Sequence, residues 1–388
     1  MSKTVFCMAP FVHMYVQTGE RKNRVCCVAE PIDNKTLEHE EDFSLKWSGD
    51  SIKNIRKEMM EVNVSDRIKK MCNTCIAKEE SVGFSDRTQY NKRYSDIVPN
   101  IVTGNQFNGA IDLDLRPGNL CNLACRMCWT GSSSQLEKEV RNGKISKMWF
   151  LGPPKIDLLE MRTDKNIEFI LKNINKCRRI KFLGGEPTIM PEVHELMDLM
   201  IENDATDTHI NITTNLTNVN KKFIDKLSKF SNIHFTYSID GTGKTVEYIR
   251  HPVKWKSIEE NMKIYDSIAN TSSINFAFQA YNVHNVKEFY EWTRTINKDT
   301  VLNIERVNNP QWDNISVLPE EYIKHHLSGI EHNAIKHVLT NSSKRNIIEY
   351  NNFIKYTKIL DNSRNQHIKD YIPEIWKLIK EDYNALQI

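Results

Sequence analysis

Apolar and polar residues alternate with a period of two along several short segments in the middle of the chain. Such alternation is typical of β-strands whose two faces meet different surroundings. The predicted strands span residues 110–116, 179–183, 209–214, 233–240, 273–281 and 300–307. Segments with helical periodicity lie between them, at residues 132–141, 166–176, 191–203, 220–230, 257–269 and 286–296. Because strands and helices alternate, the sequence predicts an α/β fold with a parallel sheet, arranged as a partial (β/α)6 barrel.

The polar faces of the predicted strands carry charged and titratable side chains. These residues are Asp112, Asp114, Arg116, His209, His234 and Glu305. Helices must cover the apolar faces, so the polar faces are predicted to line the barrel interior. A charged interior is costly unless its groups pair with one another or meet a polar ligand, so these residues are candidates for orienting a substrate or exchanging a proton. The alternative is a flat antiparallel sheet with one solvated face, which the intervening helices disfavour.

The distribution of cysteines and helices divides the chain into three predicted parts. Residues 1–105 form a small cysteine-rich N-terminal domain, residues 106–318 hold the βα units, and residues 319–388 form a helical C-terminal extension. Pro373 is expected to open the last helix of that extension. No residue of the extension indicates a chemical role.

Composition and charge narrow the choice of partners and location. The chain has 388 residues, with 53 basic and 50 acidic side chains, as in an ordinary globular protein. The net charge of +3 gives no overall electrostatic case for nucleic acid. No apolar run is long enough to span a bilayer, and the N-terminus lacks the features of a signal peptide. A cytoplasmic location without a membrane partner is therefore expected.

Three cysteines follow the first predicted core strand with the spacing Cys-x3-Cys-x2-Cys: Cys121, Cys125 and Cys128. In a reducing compartment, closely spaced cysteines indicate metal more often than disulfides. Thiolates select zinc, copper(I) or iron–sulfur clusters, and three of them leave a fourth position for another ligand. The loop therefore predicts a metal centre that holds a ligand. Structural zinc with a distant fourth protein ligand is the alternative.

The cysteine triad resembles the cluster-binding loop of the radical S-adenosylmethionine (radical SAM) superfamily. The resemblance implies a [4Fe–4S] cluster on the triad, with S-adenosylmethionine (SAM) bound at its unique iron. It extends to Gly184, Gly185 and Glu186, which are similar to the family's GGEP motif that grips the methionyl amine of SAM. The other cofactor-binding residues that the resemblance implies are Met127 near the adenine, Ser238 at the ribose or carboxylate, Asp240, Arg250, and Gln279 at the ribose hydroxyls.

The N-terminal cysteines resemble the auxiliary-cluster domain called SPASM or twitch, here placed before the core instead of after it. The implied ligands of a second, auxiliary [4Fe–4S] cluster are Cys7, Cys26, Cys72 and Cys75. Cys27 is the alternative to Cys26, because adjacent residues of a strand point in opposite directions. A zinc site on the same four sulfurs is the competing interpretation. Cys177, by contrast, is expected to be a buried apolar residue.

The resemblance implies a radical SAM oxidoreductase that cleaves SAM reductively to a 5′-deoxyadenosyl radical and abstracts hydrogen from a substrate. An electron donor such as flavodoxin or ferredoxin would supply the electron. The expected substrate is a peptide or protein side chain, and a small polar metabolite such as a sugar or nucleotide is the alternative. A non-catalytic zinc-binding module is the competing class. It is disfavoured because Glu186, Ser238 and Asp240 follow the triad in the order of the family's motifs.

Overall fold

The computed structural model describes residues 5–17, 24–31, 42–61, 64–102, 109–146, 149, 163–296, 300–340 and 345–387. A turn predicted at residues 18–20 lies outside these ranges. Within them, seven parallel strands form one sheet in chain order: β1 (His13–Gln17), β2 (Asp112–Arg116), β3 (Arg179–Phe182), β4 (His209–Thr214), β5 (Ile233–Ser238), β6 (Thr271–Phe278) and β7 (Val301–Arg306). Helices connect consecutive strands, as in part of a (β/α) barrel. The predicted α/β class and parallel sheet are confirmed.

Helices cover the sheet and form the two ends of the chain. The N-terminal helices are α1 (Ala9–Val12), α2 (Phe43–Ser48), α3 (Asp50–Met59), α4 (Asp66–Met71), α5 (Asn73–Val82), α6 (Asp86–Arg93) and α7 (Val98–Val102). Those between strands are α8 (Ser134–Arg141), α9 (Asp164–Ile174), α10 (Pro191–Glu202), α11 (Lys221–Leu227), α12 (Gly243–Ile249), α13 (Trp255–Asp266) and α14 (Val286–Ile296). The C-terminal helices are α15 (Glu320–Leu327), α16 (Asn333–Thr340), α17 (Ile347–Arg364), α18 (Ile368–Tyr371) and α19 (Pro373–Ala385), so a helical C-terminal region is confirmed. None of the helices in the described part of the chain is both long and apolar enough to cross a bilayer.

The N-terminal segment contributes a strand, β1, to the sheet. The six strands predicted for the core did not include it. Alternating apolar and polar residues at 11–16 also predict a strand, and this segment is in fact the end of α1 followed by β1. The residues of β1 pair in parallel register with those of β2. The His13 imidazole Nδ1 lies 3.0 Å from a carboxylate oxygen of Asp112, which ties the two strands together. The remaining N-terminal helices enclose an apolar cluster of their own, separate from the main core.

The register of the strands places polar side chains side by side on one face. His13, Asp112, Arg179 and His209 occupy neighbouring positions at one height. Tyr15, Asp114, Lys181, Asn211 and His234 occupy the next. Alternate residues such as Leu113, Ile180 and Ile210 lie in the main apolar core beneath the helices. The polar face is therefore the interior of the barrel, which we call the lumen.

Candidate cluster and cofactor site

The three central cysteines lie on the loop that leaves the carboxyl end of β2. All three are free thiols; Cys121 and Cys125 are buried and Cys128 is half-buried. Backbone hydrogen bonds fix the loop against the end of α12, because the Ala124 N–H donates to the His251 carbonyl and the Arg126 N–H to the Ile249 carbonyl, each at 2.8 Å. These two hydrogen bonds fix the position of the loop relative to α12.

Burial and mutual repulsion disfavour the thiolate forms of this triad. Burial raises the pKa of each thiol, that of Cys128 to about 12, and the neighbouring Cys125 raises the pKa of Cys121 and Cys128 further. The Arg250 guanidinium acts in the opposite direction on Cys125 and Cys128. Metal ligation requires thiolates, and a cation such as the Arg250 guanidinium stabilises the thiolate form. Arg250 therefore favours metal ligation by the triad.

The two glycines of the GGEP segment allow this segment to lie against the cysteine loop. The Gly185 N–H donates to the Gly118 carbonyl at 3.0 Å, and the Glu186 N–H to the Leu120 carbonyl at 2.8 Å. A Cβ at Gly185 would lie 2.2 Å from the Leu120 carbonyl oxygen. Gly184 has a φ of +113°, and a Cβ there would lie 2.6 Å from the Gly118 oxygen. The glycines therefore permit the close approach of two backbone segments.

The Glu186 carboxylate is buried and held by four donors. One oxygen accepts from the Thr188 N–H at 3.2 Å, the Thr188 hydroxyl at 2.7 Å and the Thr214 hydroxyl at 2.8 Å. The other accepts from the Asn215 N–H at 2.7 Å. Burial raises the pKa of this carboxyl, and the four hydrogen bonds lower it. A carboxylate fixed in this way presents its remaining lone pairs in one direction, which suits an ammonium group.

Asn215 joins Glu186 to the cysteine triad. Its backbone binds the Glu186 carboxylate, while its side-chain Nδ2 lies 3.8 Å from the Cys121 sulfur. Sequence motifs did not indicate this residue. Its position directly after β4, at the same sheet edge as the triad loop, is the signal that identifies it.

Asp240 and Arg250 form an ion pair on the other side of the triad. Arg250 Nε lies 2.6 Å from Asp240 Oδ2, and the other Asp240 oxygen accepts from the Ala277 N–H at 2.8 Å. Burial lowers the pKa of Arg250, and the paired Asp240 carboxylate raises it, so the guanidinium stays charged beside the triad. Ser238 is half-buried at the end of β5, two residues before Asp240.

The structure places Gln279 and Met127 at the margins of this site. Gln279 is buried; its amide nitrogen donates to the Ala277 carbonyl at 3.2 Å, and its Oε1 has no hydrogen-bond partner among the described residues. Met127 is half-buried and packs against the main core beside Cys128. An unpartnered buried acceptor such as Gln279 Oε1 is where a ligand hydroxyl gains a hydrogen bond.

The C-terminal extension contacts the cysteine loop, a role that sequence analysis missed. The side chain of Arg126, between Cys125 and Met127, is fully buried, and its Nη2 lies 2.7 Å from Asp361 Oδ1 of α17. The Arg126 guanidinium also stacks on the Tyr248 ring, 3.5 Å from its centroid, and the Tyr356 hydroxyl donates to the Arg126 carbonyl at 2.8 Å. A polar helix far along the chain gives no sequence signal of such a partner.

Four N-terminal cysteines line a small cavity apart from the central triad. They are Cys7, Cys26, Cys72 and Cys75, and Arg87 and Tyr90 also line it. The Ala9 N–H donates to the Cys7 sulfur at 3.4 Å. Burial raises the pKa of Cys7, and Cys72 and Cys75 raise it further by repulsion, whereas Arg87 lowers it. Four thiols are the donor set of an iron–sulfur cluster or of zinc, but no three of these side chains are placed, within the described residues, to hold a single metal ion.

Cys27 does not line this cavity. Burial raises the pKa of its thiol. The charge of Asp114 raises this pKa further, and the charges of Lys181 and Arg116 lower it. Cys27 is therefore under the influence of charged side chains of the lumen, whereas the adjacent Cys26 lines the cavity.

The other lumen residues differ in their availability to a ligand. The Asp112 carboxylate already has several partners within the protein. It accepts a hydrogen bond from the Tyr94 hydroxyl at 2.5 Å and lies beside the side chains of His13 and Arg179. His234 binds the hydroxyls of Thr271 and Ser273. Glu305 is exposed on β7 and lies 4.0 Å from Lys78 of α5. Across the described residues, no group of three or more Cys, His, Asp or Glu side chains is placed to hold a single metal ion.

Comparisons with known proteins bear on the core. Residues 115–293 match the family model of the Radical SAM superfamily. Radical SAM cyclopropyl synthase TigE of Paramaledivibacter caminithermalis is 26% identical over 248 residues, covering 58% of this chain and 50% of TigE. The chain therefore spans about half the length of this relative. The matched family segment contains the triad and the GGEP segment, whereas the N-terminal cysteines precede it.

Two solved structures are similar to parts of the chain. Native anSMEcpe with bound AdoMet has 16% identity and a TM-score of 0.39, over 66% of this chain and 62% of that one. Streptococcus suis SuiB bound to precursor peptide SuiA has 13% identity and a TM-score of 0.32, over 73% and 80%.

Proposed function

We propose that the protein cleaves SAM reductively and abstracts hydrogen from a peptide or protein side chain, a proposal supported by the match of residues 115–293 to the family model of the Radical SAM superfamily. Cys121, Cys125 and Cys128 would hold a [4Fe–4S] cluster. The observation that carries the proposal is the connection of the triad to Glu186 through Asn215, which bonds to the Glu186 carboxylate at 2.7 Å and lies 3.8 Å from the Cys121 sulfur. A cluster site and a site for the ammonium group of SAM thereby adjoin.

When bound, the cluster supplies the electron that cleaves SAM to methionine and a 5′-deoxyadenosyl radical, which removes a hydrogen atom from the substrate. The protein residues bind and orient. Glu186 would accept hydrogen bonds from the SAM ammonium group, and Arg250 would attract its carboxylate. Ser238 and the unpartnered Gln279 Oε1 would bind ribose hydroxyls, and Met127 would contact the adenine.

An auxiliary [4Fe–4S] cluster on Cys7, Cys26, Cys72 and Cys75 is the second part of the proposal. The shared cavity of these four cysteines supports it. The N-terminal residues that hold this cluster would then form a SPASM- or twitch-like domain that precedes the core. Cys26 is favoured over Cys27 as the ligand, because Cys26 lines this cavity and Cys27 does not.

The open side of the sheet supports a peptide substrate over a small metabolite. β7 is the edge strand, and Val301 on its lumen-facing side is 57% exposed. The Glu305 side chain of the same strand is 80% exposed. A chain-like substrate can therefore reach the lumen from the side, whereas a small metabolite gains nothing from this opening.

The test compares Cys125→Ala with Cys177→Ala, a buried cysteine distant in sequence from both sets. Cys125→Ala is expected to abolish 5′-deoxyadenosine formation from SAM and dithionite, and Cys177→Ala to retain it. Retained cleavage in Cys125→Ala would end the radical SAM mechanism for this site.

Metal analysis of protein purified without oxygen tests the number of clusters. About 8 iron atoms per chain with matching sulfide are expected, and Cys72→Ala should lose roughly half of them. About 4 iron atoms in the wild type would leave the core cluster and remove the auxiliary one. Zinc without sulfide would instead support a binding module.

A further inference from the structure

We propose that the lumen contains a carboxylate-binding subsite, formed by Arg116, Lys181 and Asn211, that holds an acidic or C-terminal residue of the substrate peptide. The inference rests on the proposed function, because it assigns the part of the peptide that this site recognises. The three residues belong to adjacent strands β2, β3 and β4. Lys181 and Asn211 are directly paired in register.

The charges at this height of the lumen do not balance. Arg116 and Lys181 both approach Asp114, with Arg116 Nε 3.3 Å and Lys181 Nζ 3.8 Å from its oxygens. One carboxylate cannot neutralise two cations, so a surplus positive charge remains where side chains are largely shielded from water. Such a charge is costly unless an anion joins it.

The two cations also have unused donors. The Lys181 contact, at 3.8 Å, is too long for a hydrogen bond. Arg116 uses Nε on Asp114 and lies over the Tyr15 ring, 5.0 Å from its centroid. Among the residues that the structure describes, no hydrogen bond is found for the Lys181 ammonium or the terminal nitrogens of Arg116. Both side chains are 24% exposed, so a ligand in the lumen can reach them.

Asn211 supplies an independent observation. It is 7% exposed, and its Oδ1 has no hydrogen-bond partner within the described part of the chain. A buried carbonyl oxygen needs a donor. A ligand that satisfies all three residues therefore carries a carboxylate for Arg116 and Lys181 and a nearby N–H for Asn211. A peptide's C-terminal residue has both groups, and so does an aspartyl or glutamyl residue within a chain.

The position of this subsite suits a substrate of the proposed reaction. Arg116 is the last residue of β2, five residues before Cys121 in the printed sequence. The cations therefore lie at the sheet edge from which the cysteine loop leaves.

The experiment measures binding of small probes to the cluster-loaded full chain, saturated with SAM and kept without reductant. The probes are two acid–amide pairs: N-acetylalanine with N-acetylalaninamide, and N-acetylglutamic acid α-amide with N-acetylglutaminamide. Saturation-transfer NMR gives the dissociation constants. We expect at least one acid to bind about tenfold more tightly than its amide, since charge-assisted hydrogen bonds are roughly twice as strong as neutral ones. The pair that discriminates distinguishes a C-terminal carboxylate from an acidic side chain.

Substitutions of Lys181 test whether the probes bind at the proposed subsite. Lys181→Gln should remove the preference for the acid, Lys181→Arg should keep it, and Lys176→Gln, on the exposed surface, should leave it unchanged. Equal binding of acid and amide by the wild type would overturn the proposal, as would an unchanged preference in Lys181→Gln. Probe binding that SAM displaces would assign the cations to the cofactor instead and overturn it as well.

An assay of 5′-deoxyadenosine formation distinguishes failure of the subsite from failure of the proposed radical mechanism. If the wild type forms 5′-deoxyadenosine from SAM but binds acids and amides equally, the subsite fails alone. If it binds the acid selectively but cleaves no SAM, the radical mechanism fails and the subsite remains.

Discussion

Gly185 shows how one missing side chain positions the candidate cluster site. Its backbone conformation is one that any residue adopts, so the requirement for glycine comes from space alone. The Leu120 carbonyl oxygen occupies the point, 2.2 Å away, that a Cβ would need. Because Leu120 precedes Cys121 directly, a side chain at position 185 must displace the cysteine loop.

We therefore expect Gly185→Ala to weaken cluster binding at the triad. Overpacking of this kind costs about 1–3 kcal/mol in unfolding free energy. The iron content and the affinity for SAM should both fall below those of the wild type, as measured by iron analysis and equilibrium dialysis. Gly329→Asn is the control, because Gly329 has a φ of +79° in open space and asparagine tolerates that conformation. Wild-type iron content in Gly185→Ala would show that the loop adapts.

Single residues differ in how far their role could be read from the sequence. Glu186 belongs to a local motif, so its place beside the triad was predictable. Asp240 and Arg250 were each singled out, but their ion pair depends on how α12 brings the residue that follows it back to the end of β5. Asn215 belongs to no motif, and only the shared edge of parallel strands brings it to Cys121 and Glu186.

At the scale of elements, α17 packs against the cysteine loop and holds it through Asp361. Asp361 of this helix accepts from Arg126 at 2.7 Å, from the Tyr248 hydroxyl at 2.7 Å and from the Ile368 N–H at 2.9 Å. All of these groups are buried. Removing one partner of a buried ion pair leaves an uncompensated charge, which is far more costly than the pair itself is worth.

Asp361→Asn is accordingly expected to lower the unfolding free energy by about 3–5 kcal/mol. It should also accelerate loss of iron from the triad, because Arg126 lies between two of its cysteines. Urea denaturation and iron release to a chelator measure the two effects. Asp370→Asn, at an exposed position of the neighbouring α18, should change neither. An Asp361→Asn protein with wild-type stability would show that Arg126 finds another partner.

The sequence predicted elements well where one face is polar and the other apolar. β4 and α14 begin and end at their predicted residues, and most other boundaries shift by one to three residues. The largest error at a strand end is in β6, which ends at Phe278, because the chain from Ala280 to Asn285 turns into a 3₁₀ helix. β1 was missed as part of the sheet because its partner, β2, lies about a hundred residues away. Local pattern carries no information on such pairing.

At the scale of the whole molecule, buried hydrogen bonds connect the N-terminal cavity to the lumen. Tyr90 lines the cavity, and its hydroxyl lies 3.2 Å from His13 Nδ1, which in turn contacts Asp112. The N-terminal part thus shares a strand and a polar network with the core, although it has its own apolar cluster. Composition and motif spacing predicted two cysteine sites, and only the pairing of β1 with β2 explains how the N-terminal part joins the core.

Two half-buried histidines make the stability of the whole chain dependent on pH. Burial lowers the pKa of His284 to about 4, and burial together with the positive charges of His209, Arg179 and Lys181 lowers that of His234 to about 4. In the unfolded chain both groups titrate near their ordinary pKa of about 6.5. Between these values the unfolded state binds protons that the folded state does not, so the unfolding free energy falls as the pH is lowered from about 7 to about 4.

His284→Gln tests this argument at one of the two positions. Glutamine does not titrate, and its amide can replace the contact of His284 Nε2 with the Thr245 hydroxyl, which is 3.1 Å long. The acidic Glu374 partly opposes the shift at His284 and His326 reinforces it, so burial decides the sign. We expect the loss in urea midpoint between pH 7.5 and pH 5 to be smaller in His284→Gln than in the wild type. The exposed His337 provides the control, since His337→Gln should keep the full pH dependence. An equal loss in both variants would mean that other groups, and not the half-buried histidine, govern the acid sensitivity of the fold.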